Sequence, residues 1–138
     1  MTQRFVLDAW AVLAFLQGEE PAAARVRDLL DAAARETDVE LLLSIINLGE
    51  VFYIVGRAKG QHEAEQTLTA LRQLPWQIVP ATDTAVLAAA AFKMKHPVSY
   101  ADAFAATAAQ DHTATLLTGD PELLALSDTL RLEAISRA

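Results

Sequence analysis

Short apolar segments alternate with longer helix-forming segments along this 138-residue chain. Apolar runs of this kind, bounded by turn residues, are typical of strands that are buried on both faces. Four segments have this character: Phe5 to Leu7, Leu41 to Leu43, Ile78 to Val79 and Thr115 to Thr118. Leu130 to Ile135 offers a fifth strand. Because parallel strands need long crossover connections, the alternation predicts a mainly parallel five-stranded sheet with helices on both faces. We therefore expect a single α/β domain with three α/β/α layers over residues 1–138.

Capping residues mark where the helices begin and end. Ser44, Asp83 and Ser99 each precede a helix-forming segment and are expected to cap it. Gly60 is expected to end a helix, because glycine is common just beyond the last helical residue. Pro21 is expected to be the first residue of the helix that follows it.

The composition limits both the compartment and the kinds of site. The absence of cysteine excludes a disulfide framework, a zinc–thiolate site and a cysteine nucleophile, and it suits a reducing compartment. No apolar run reaches the roughly 18 residues of a membrane span, and no segment resembles a signal peptide. We expect a soluble, cytoplasmic protein with no membrane partner. Hydrophobic residues make up 53% of the chain, which favours association with another chain.

The net charge of −7 argues against non-specific binding to nucleic acid, because a phosphate backbone repels an acidic protein. This argument weakens if several acidic residues lie together and bind cations. The positions of the acidic residues relative to the predicted strands therefore matter more than their number.

Acidic residues follow two predicted strands, and open parallel sheets place their sites beyond the carboxyl ends of the strands. Asp8 directly follows the first strand, and Asp120 follows the fourth within a Gly-Asp-Pro turn. Asp102 lies in the first turn of the helix before the fourth strand, three residues after Ser99. Each of these aspartates has a second interpretation as a helix cap or as part of a capping box, and the sequence leaves both open.

Glu50 is the only charged residue between Leu41 and Val55, within a predicted helix where it has no capping role. An ionised carboxylate in apolar surroundings is costly unless something compensates for it. If Glu50 and the three aspartates share one crevice, their mutual repulsion favours a divalent cation. Oxygen ligands without nearby cysteine or histidine point to Mg²⁺, with Mn²⁺ as the other option.

These residues predict metal-assisted hydrolysis of a phosphodiester. Asp8, Asp102 and Asp120 are the expected metal ligands, directly or through water, and Glu50 is expected to position or deprotonate the attacking water. Thr118, two residues before Asp120, is expected to orient a water or a carboxylate through its hydroxyl, although an ordinary strand-end threonine is the simpler interpretation.

Four motifs, in this order and spacing, resemble those of the PIN-domain nucleases, and among these the VapC-type toxins of toxin–antitoxin pairs. The motifs are Phe5-Val-Leu-Asp-Ala, Asn47-Leu-Gly-Glu-Val, Ser99-Tyr-Ala-Asp-Ala-Phe-Ala-Ala and Leu117-Thr-Gly-Asp-Pro-Glu-Leu. The resemblance covers essentially the whole chain. It implies a PIN-like sheet of five parallel strands, a homodimer, Mg²⁺-dependent endoribonuclease activity on RNA, and a VapB-like antitoxin that blocks the site.

The family's acidic residues map onto Asp8, Glu50, Asp102 and Asp120, and its frequent hydroxyl neighbour maps onto Thr118. The chain departs from the family pattern two positions after the first aspartate. Many members have a small polar residue at that position, whereas this chain has Trp10.

Three other classes of protein share some of these features. A receiver-type signalling domain also has an acidic Mg²⁺ pocket, but it needs paired acids after the first strand, and Asp8 is followed by Ala9. A haloacid-dehalogenase-type phosphatase needs a second aspartate where Trp10 stands. A catalytically inactive PIN-like interaction module remains an alternative at this stage, although all four acidic residues are present.

Overall fold

The computed structural model describes residues 1–35 and 38–137. The strands in these residues are β1 (Gln3–Leu7), β2 (Val39–Ser44), β3 (Gln77–Val79), β4 (Thr115–Thr118) and β5 (Leu132–Ala134). The helices are α1 (Ala9–Leu16), α2 (Ala22–Arg35), α3 (Ile45–Lys59), α4 (Gln61–Arg72), α5 (Asp83–Lys95), α6 (Tyr100–Asp111) and α7 (Pro121–Leu124). In these described parts, no helix has both the length and the apolar character needed to cross a membrane.

The five strands form one sheet in the order β3-β2-β1-β4-β5, and every neighbouring pair is parallel. Leu7 at the end of β1 is level with Leu43 of β2 and Leu117 of β4. The residues that follow these leucines therefore emerge together at the carboxyl edge of the sheet, next to the central strand. The predicted parallel sheet is confirmed.

Side chains of the central strand alternate between two hydrophobic cores, one on each face of the sheet. Phe5 and Leu7 belong to the core formed with α1 to α4, whereas Val6 belongs to the core formed with α5 and α6. Val6 and Leu7 are fully buried. Helices therefore cover both faces of the sheet, and the predicted three-layer α/β/α architecture is confirmed.

Two predicted helix starts are wrong by one residue. The cap of α5 is Thr82, whose hydroxyl accepts a hydrogen bond from the Ala85 amide at 3.1 Å, so Asp83 is the first helical residue. There its charge still interacts favourably with the helix dipole. Pro21 lies outside α2 because it forms an antiparallel bridge with Arg137.

The last strand is shorter than predicted. It covers only Leu132 to Ala134 of the predicted segment from 130 to 135. The amide of Leu130 donates instead to the carbonyl of Leu126 at 3.0 Å, which closes a turn before the strand begins.

Candidate metal centre

The aspartate after β1 is held at the carboxyl edge of the sheet by two hydrogen bonds. Asp8 caps α1, with Oδ1 accepting from the Ala11 amide at 2.9 Å. Its Oδ2 accepts a hydrogen bond from the Thr118 hydroxyl at the end of β4. The Asp8 side chain is buried, with the residue 1% exposed. Both oxygens are thus fixed by the ends of adjacent strands and the start of a helix.

Thr118 joins the end of β1 to the loop after β4. Its hydroxyl donates to Asp8 and accepts a hydrogen bond from the Asp120 amide at 3.0 Å, and the residue is fully buried. A threonine hydroxyl has one donor and two acceptor sites, so it can make both bonds together. Thr118 therefore orients one predicted site carboxylate directly and the backbone of another.

Three acidic residues form a cluster in which one carboxylate oxygen from each lies within 4.8 Å of the others. They are Asp102, Asp120 and Glu122. Asp120 caps the short helix α7 through Oδ1, which accepts from the Glu122 amide at 2.9 Å. Asp102 is placed in the first turn of α6, where its amide donates to the Ser99 hydroxyl at 3.1 Å. Among the residues that the structure describes, this is the group of three carboxylates whose spacing fits a metal ion.

Sequence reasoning missed Glu122. It was not singled out because an acidic residue in the first turn of a helix is usually explained by the helix dipole.

Glu50 reaches the site from α3, and its Oε1 is buried without a hydrogen-bond partner in the described structure. One turn earlier in α3 is Asn47, which is fully buried. The Asn47 amide nitrogen donates to the carbonyl of Ala101 at 3.1 Å, next to Asp102, and so ties α3 to the start of α6. Asn47 lies in a motif quoted above, but its role was not predicted.

Burial raises the pKa values of Asp8, Glu50 and Asp102 in this crevice. The pKa of Asp8 rises from 3.8 to about 7, mainly because of burial, with repulsion from Asp120 and Glu50 adding to the rise and the bonds from Thr118 and Ala11 opposing it. Burial likewise raises the pKa of Asp102, and the neighbouring Asp120 raises it further.

The pKa of Glu50 is also raised by burial and by Asp120, against a smaller lowering from the Asn47 side chain. Each ion pair in residues 1–35 and 38–137 joins an arginine to a glutamate. The pairs are Arg4–Glu40, Arg25–Glu133, Arg27–Glu20 and Arg137–Glu19. None of them involves an acidic residue of the crevice. The carboxylates therefore lack a compensating positive charge from the described protein.

The capping and metal-binding interpretations are compatible, because capping uses only one oxygen of each carboxylate. Asp8 and Asp120 both cap helices through Oδ1. The other oxygen of Asp8 accepts from Thr118, and Asp120 has a carboxylate oxygen within 4.8 Å of oxygens of Asp102 and Glu122. This arrangement of oxygen ligands, a buried unpaired Glu50 oxygen and raised pKa values fits a hard divalent cation such as Mg²⁺ or Mn²⁺.

The fold and the acidic crevice match a known family. The sequence matches the PIN domain family over residues 5–128, and the chain belongs to that family. The match sets aside the receiver-type and phosphatase alternatives. No curated protein sequence matches the chain significantly.

Solved structures with the same fold include chains from toxin–antitoxin complexes. One belongs to VapBC2 from Rickettsia felis bound to a DNA fragment from its promoter, with a TM-score of 0.74 and 16% identity over 97% of this chain and 100% of that chain. Another belongs to DNA-bound VapBC from Salmonella typhimurium, with a TM-score of 0.71 and 15% identity over 97% and 98% of the two chains. A third is VapC20 from Mycobacterium tuberculosis, described as a sarcin–ricin loop cleaving toxin, with a TM-score of 0.68 and 18% identity over 88% and 94%.

Proposed function

We propose that this PIN-domain protein is a metal-dependent endoribonuclease that hydrolyses RNA phosphodiester bonds, and that it acts in the cytoplasm as the toxin of a toxin–antitoxin pair. The observation that carries the proposal is the crevice of acidic residues at the carboxyl edge of the sheet. Asp8, Glu50, Asp102 and Asp120 are buried or half-buried, and in the described structure they make no ion pair with a basic side chain. Such an arrangement destabilises a protein, so it is expected mainly where a function requires it.

The solved structures support the choice of substrate and partner. A protein of this fold is described as a toxin that cleaves the sarcin–ricin loop, which is an RNA target. Two others are VapBC complexes. We accordingly propose RNA as the substrate and a VapB-like antitoxin as the partner that blocks the acidic crevice.

The proposed metal ligands are Asp8, Asp102 and Asp120, directly or through water, and Glu122 is added from the structure. When bound, Mg²⁺ or Mn²⁺ supplies positive charge that stabilises a phosphate group and lowers the pKa of a coordinated water. Thr118 keeps Asp8 and the Asp120 loop in a fixed relation through its two hydrogen bonds. This fixed geometry is what precise coordination of a small cation requires.

Glu50 is the proposed general base. Its carboxylate has a buried oxygen without a partner, and burial raises its pKa above the ordinary value for glutamate. A base whose pKa is closer to neutral accepts a proton from water more effectively in the transition state. The proposed role is to position the attacking water and to take its proton during in-line displacement.

We also propose a homodimer. Leu87 and Met94 lie seven residues apart on α5 and are 69% and 83% exposed, and Tyr100 at the start of α6 is 45% exposed. Large apolar side chains this exposed favour association. Light scattering of the purified protein tests the proposal: we expect twice the chain mass of 14.9 kDa, and a mass of 14.9 kDa at micromolar concentration would contradict it.

The function is tested by mapping 5′ ends of cellular RNA after a short pulse of expression. The wild-type chain is compared with Asp102→Asn, which removes a charge from the cluster and leaves the Ser99 cap in place because that bond uses the backbone amide. We expect new 5′ ends at a defined sequence or loop that are absent with the variant. Identical profiles from two folded, equally abundant proteins would instead support the inactive interaction module.

A further inference from the structure

Trp10 lies directly against the loop that carries Asp120. A Cβ atom built on Gly119 would lie 2.3 Å from Cη2, 2.4 Å from Cζ2 and 2.6 Å from Cζ3 of the Trp10 ring. Contacts this short do not occur in real structures, so the six-membered part of the indole rests on the Gly119 backbone. Gly119 separates Thr118 from Asp120, and the ring therefore supports the turn between a residue that orients Asp8 and a residue of the acidic cluster.

The backbone itself does not require glycine at this position. Among the described residues, the glycines with positive φ are Gly18 and Gly60, so Gly119 has a conformation that other residues adopt without strain. The space taken by Trp10 is what excludes a side chain from position 119. The Trp10 ring and the absence of a side chain at position 119 therefore depend on each other.

The C-terminal segment limits how far the Trp10 ring can move. The guanidinium carbon of Arg137 lies 4.9 Å from the centroid of the ring. Arg137 is held there by an ion pair with Glu19 at 3.0 Å and by its backbone bridge to Pro21. The exposed ion pair contributes little stability by itself, but together with the bridge it places the cation over the aromatic ring, where the interaction is favourable.

We propose that Trp10 is a positioning residue, whose ring packs on Gly119 and holds the turn from Thr118 to Asp120 in the conformation that brings Asp120 beside Asp102. This inference rests on the proposed metal site. It explains why a large aromatic side chain can replace a small polar one two positions after Asp8: the ring acts on the loop through contact with its backbone rather than through a polar group.

The test measures Mn²⁺ affinity by calorimetry for the wild-type protein, Gly119→Ala, Trp10→Ala and the double variant. The added methyl must displace either the ring or the loop, so we expect Gly119→Ala to weaken Mn²⁺ binding roughly tenfold, the scale seen when residues that orient metal ligands are changed. Trp10→Ala removes the support of the turn and should also bind Mn²⁺ more weakly than the wild-type protein. In the double variant the clash is gone, and its affinity should match that of Trp10→Ala. Wild-type affinity of either single variant, or a double variant as weak as the sum of both single effects, would overturn the proposal.

Tryptophan fluorescence gives a second readout that does not depend on a folded Gly119 variant. Trp76 is the other tryptophan and is buried in the core, where its Nε1 donates to the carbonyl of Leu71 at 2.9 Å. In Trp76→Phe we expect Mg²⁺ to change the emission of Trp10 with the midpoint found by Mg²⁺ calorimetry of the same variant, whereas Trp10→Phe should show no change. An unchanged emission from Trp10 while Mg²⁺ binds would contradict the proposed coupling between the Trp10 ring and the metal site.

Different results would refute the proposed metal site and the proposed positioning role of Trp10. Wild-type protein that binds neither Mn²⁺ nor Mg²⁺ would refute the metal site itself. Normal metal binding that is insensitive to Gly119→Ala would refute only the positioning role of Trp10.

Discussion

Replacing Asp8 with asparagine should stabilise the metal-free protein. The pKa of Asp8 is raised from 3.8 to about 7, chiefly by burial. Since one pKa unit corresponds to about 1.4 kcal/mol, ionising this carboxyl group in the folded state costs up to about 4 kcal/mol. Asparagine removes that cost and keeps an oxygen for the Ala11 amide, so the cap of α1 survives.

The Thr118 hydroxyl loses its acceptor in this variant if the asparagine amide nitrogen takes the place of Oδ2. A lost hydrogen bond of this kind costs about 1 kcal/mol. The net expectation for Asp8→Asn is therefore a gain of about 2–3 kcal/mol in the free energy of unfolding at pH 8 without metal.

The free energy of unfolding of the metal-free protein should depend on pH in a definite direction. An acidic group whose folded pKa lies above its unfolded pKa binds more protons in the folded state, so stability falls as the pH rises between the two values. For Asp8 this interval runs from 3.8 to about 7. The stabilising contribution of the protonated group is complete below 3.8 and lost as the pH rises through about 7. The wild-type protein should lose stability over this interval more steeply than Asp8→Asn.

The assay is urea unfolding followed by circular dichroism from pH 5 to pH 8, first with a chelator and then with excess Mg²⁺. Mg²⁺ should stabilise the wild-type protein, because a ligand that binds only the folded state raises the free energy of unfolding. It should stabilise Asp8→Asn much less. Equal or lower stability of Asp8→Asn than of wild type at pH 8 in chelator would refute the reasoning.

Three further substitutions test the other residues of the crevice. Thr118→Val keeps the shape of the side chain but leaves the Asp120 amide without its acceptor, so we expect urea unfolding to show a loss of about 1–3 kcal/mol, with Thr118→Ser as the control that retains the hydroxyl. Glu50→Gln should abolish cleavage of a stem-loop RNA and leave the melting temperature at pH 8 unchanged or higher, because burial raises the pKa of this carboxyl; residual wild-type cleavage would exclude Glu50 as the base. Asn47→Ala removes the hydrogen bond to Ala101 and should cost about 1–3 kcal/mol in urea unfolding while weakening Mn²⁺ binding measured by calorimetry; a loss of stability without any change in affinity would limit Asn47 to a structural role.

The sequence was sufficient to predict the sheet because its three inner strands are buried on both faces. Leu41 to Leu43 is a continuous apolar run that is almost completely buried in the structure, as a central parallel strand requires. The ends of the elements were less predictable, because they depend on contacts distant in sequence. Pro21 was expected to begin a helix, but it pairs with Arg137, and local sequence cannot reveal such a partner.

The acidic crevice was predictable in part. Acidic residues at strand ends meet wherever parallel strands are adjacent, and this geometry follows from the strand pattern alone. Glu122 and Asn47 were missed because each has an ordinary explanation in its own helix, and only the packing of α7 and α3 brings them to the crevice. The support of the Gly119 turn by Trp10 also depends on tertiary packing, since 109 positions separate the two residues in the sequence.

The direction of β1 has a practical consequence for attaching tags. This strand begins at Gln3 and ends at Leu7 beside the acidic crevice, so at about 3.3 Å per residue its start lies about 13 Å away, at the opposite edge of the sheet. A purification tag joined ahead of Gln3 therefore extends away from the crevice. A tag on the chain beyond Arg137 follows the residue whose guanidinium lies over the Trp10 ring, and it can disturb that aromatic contact.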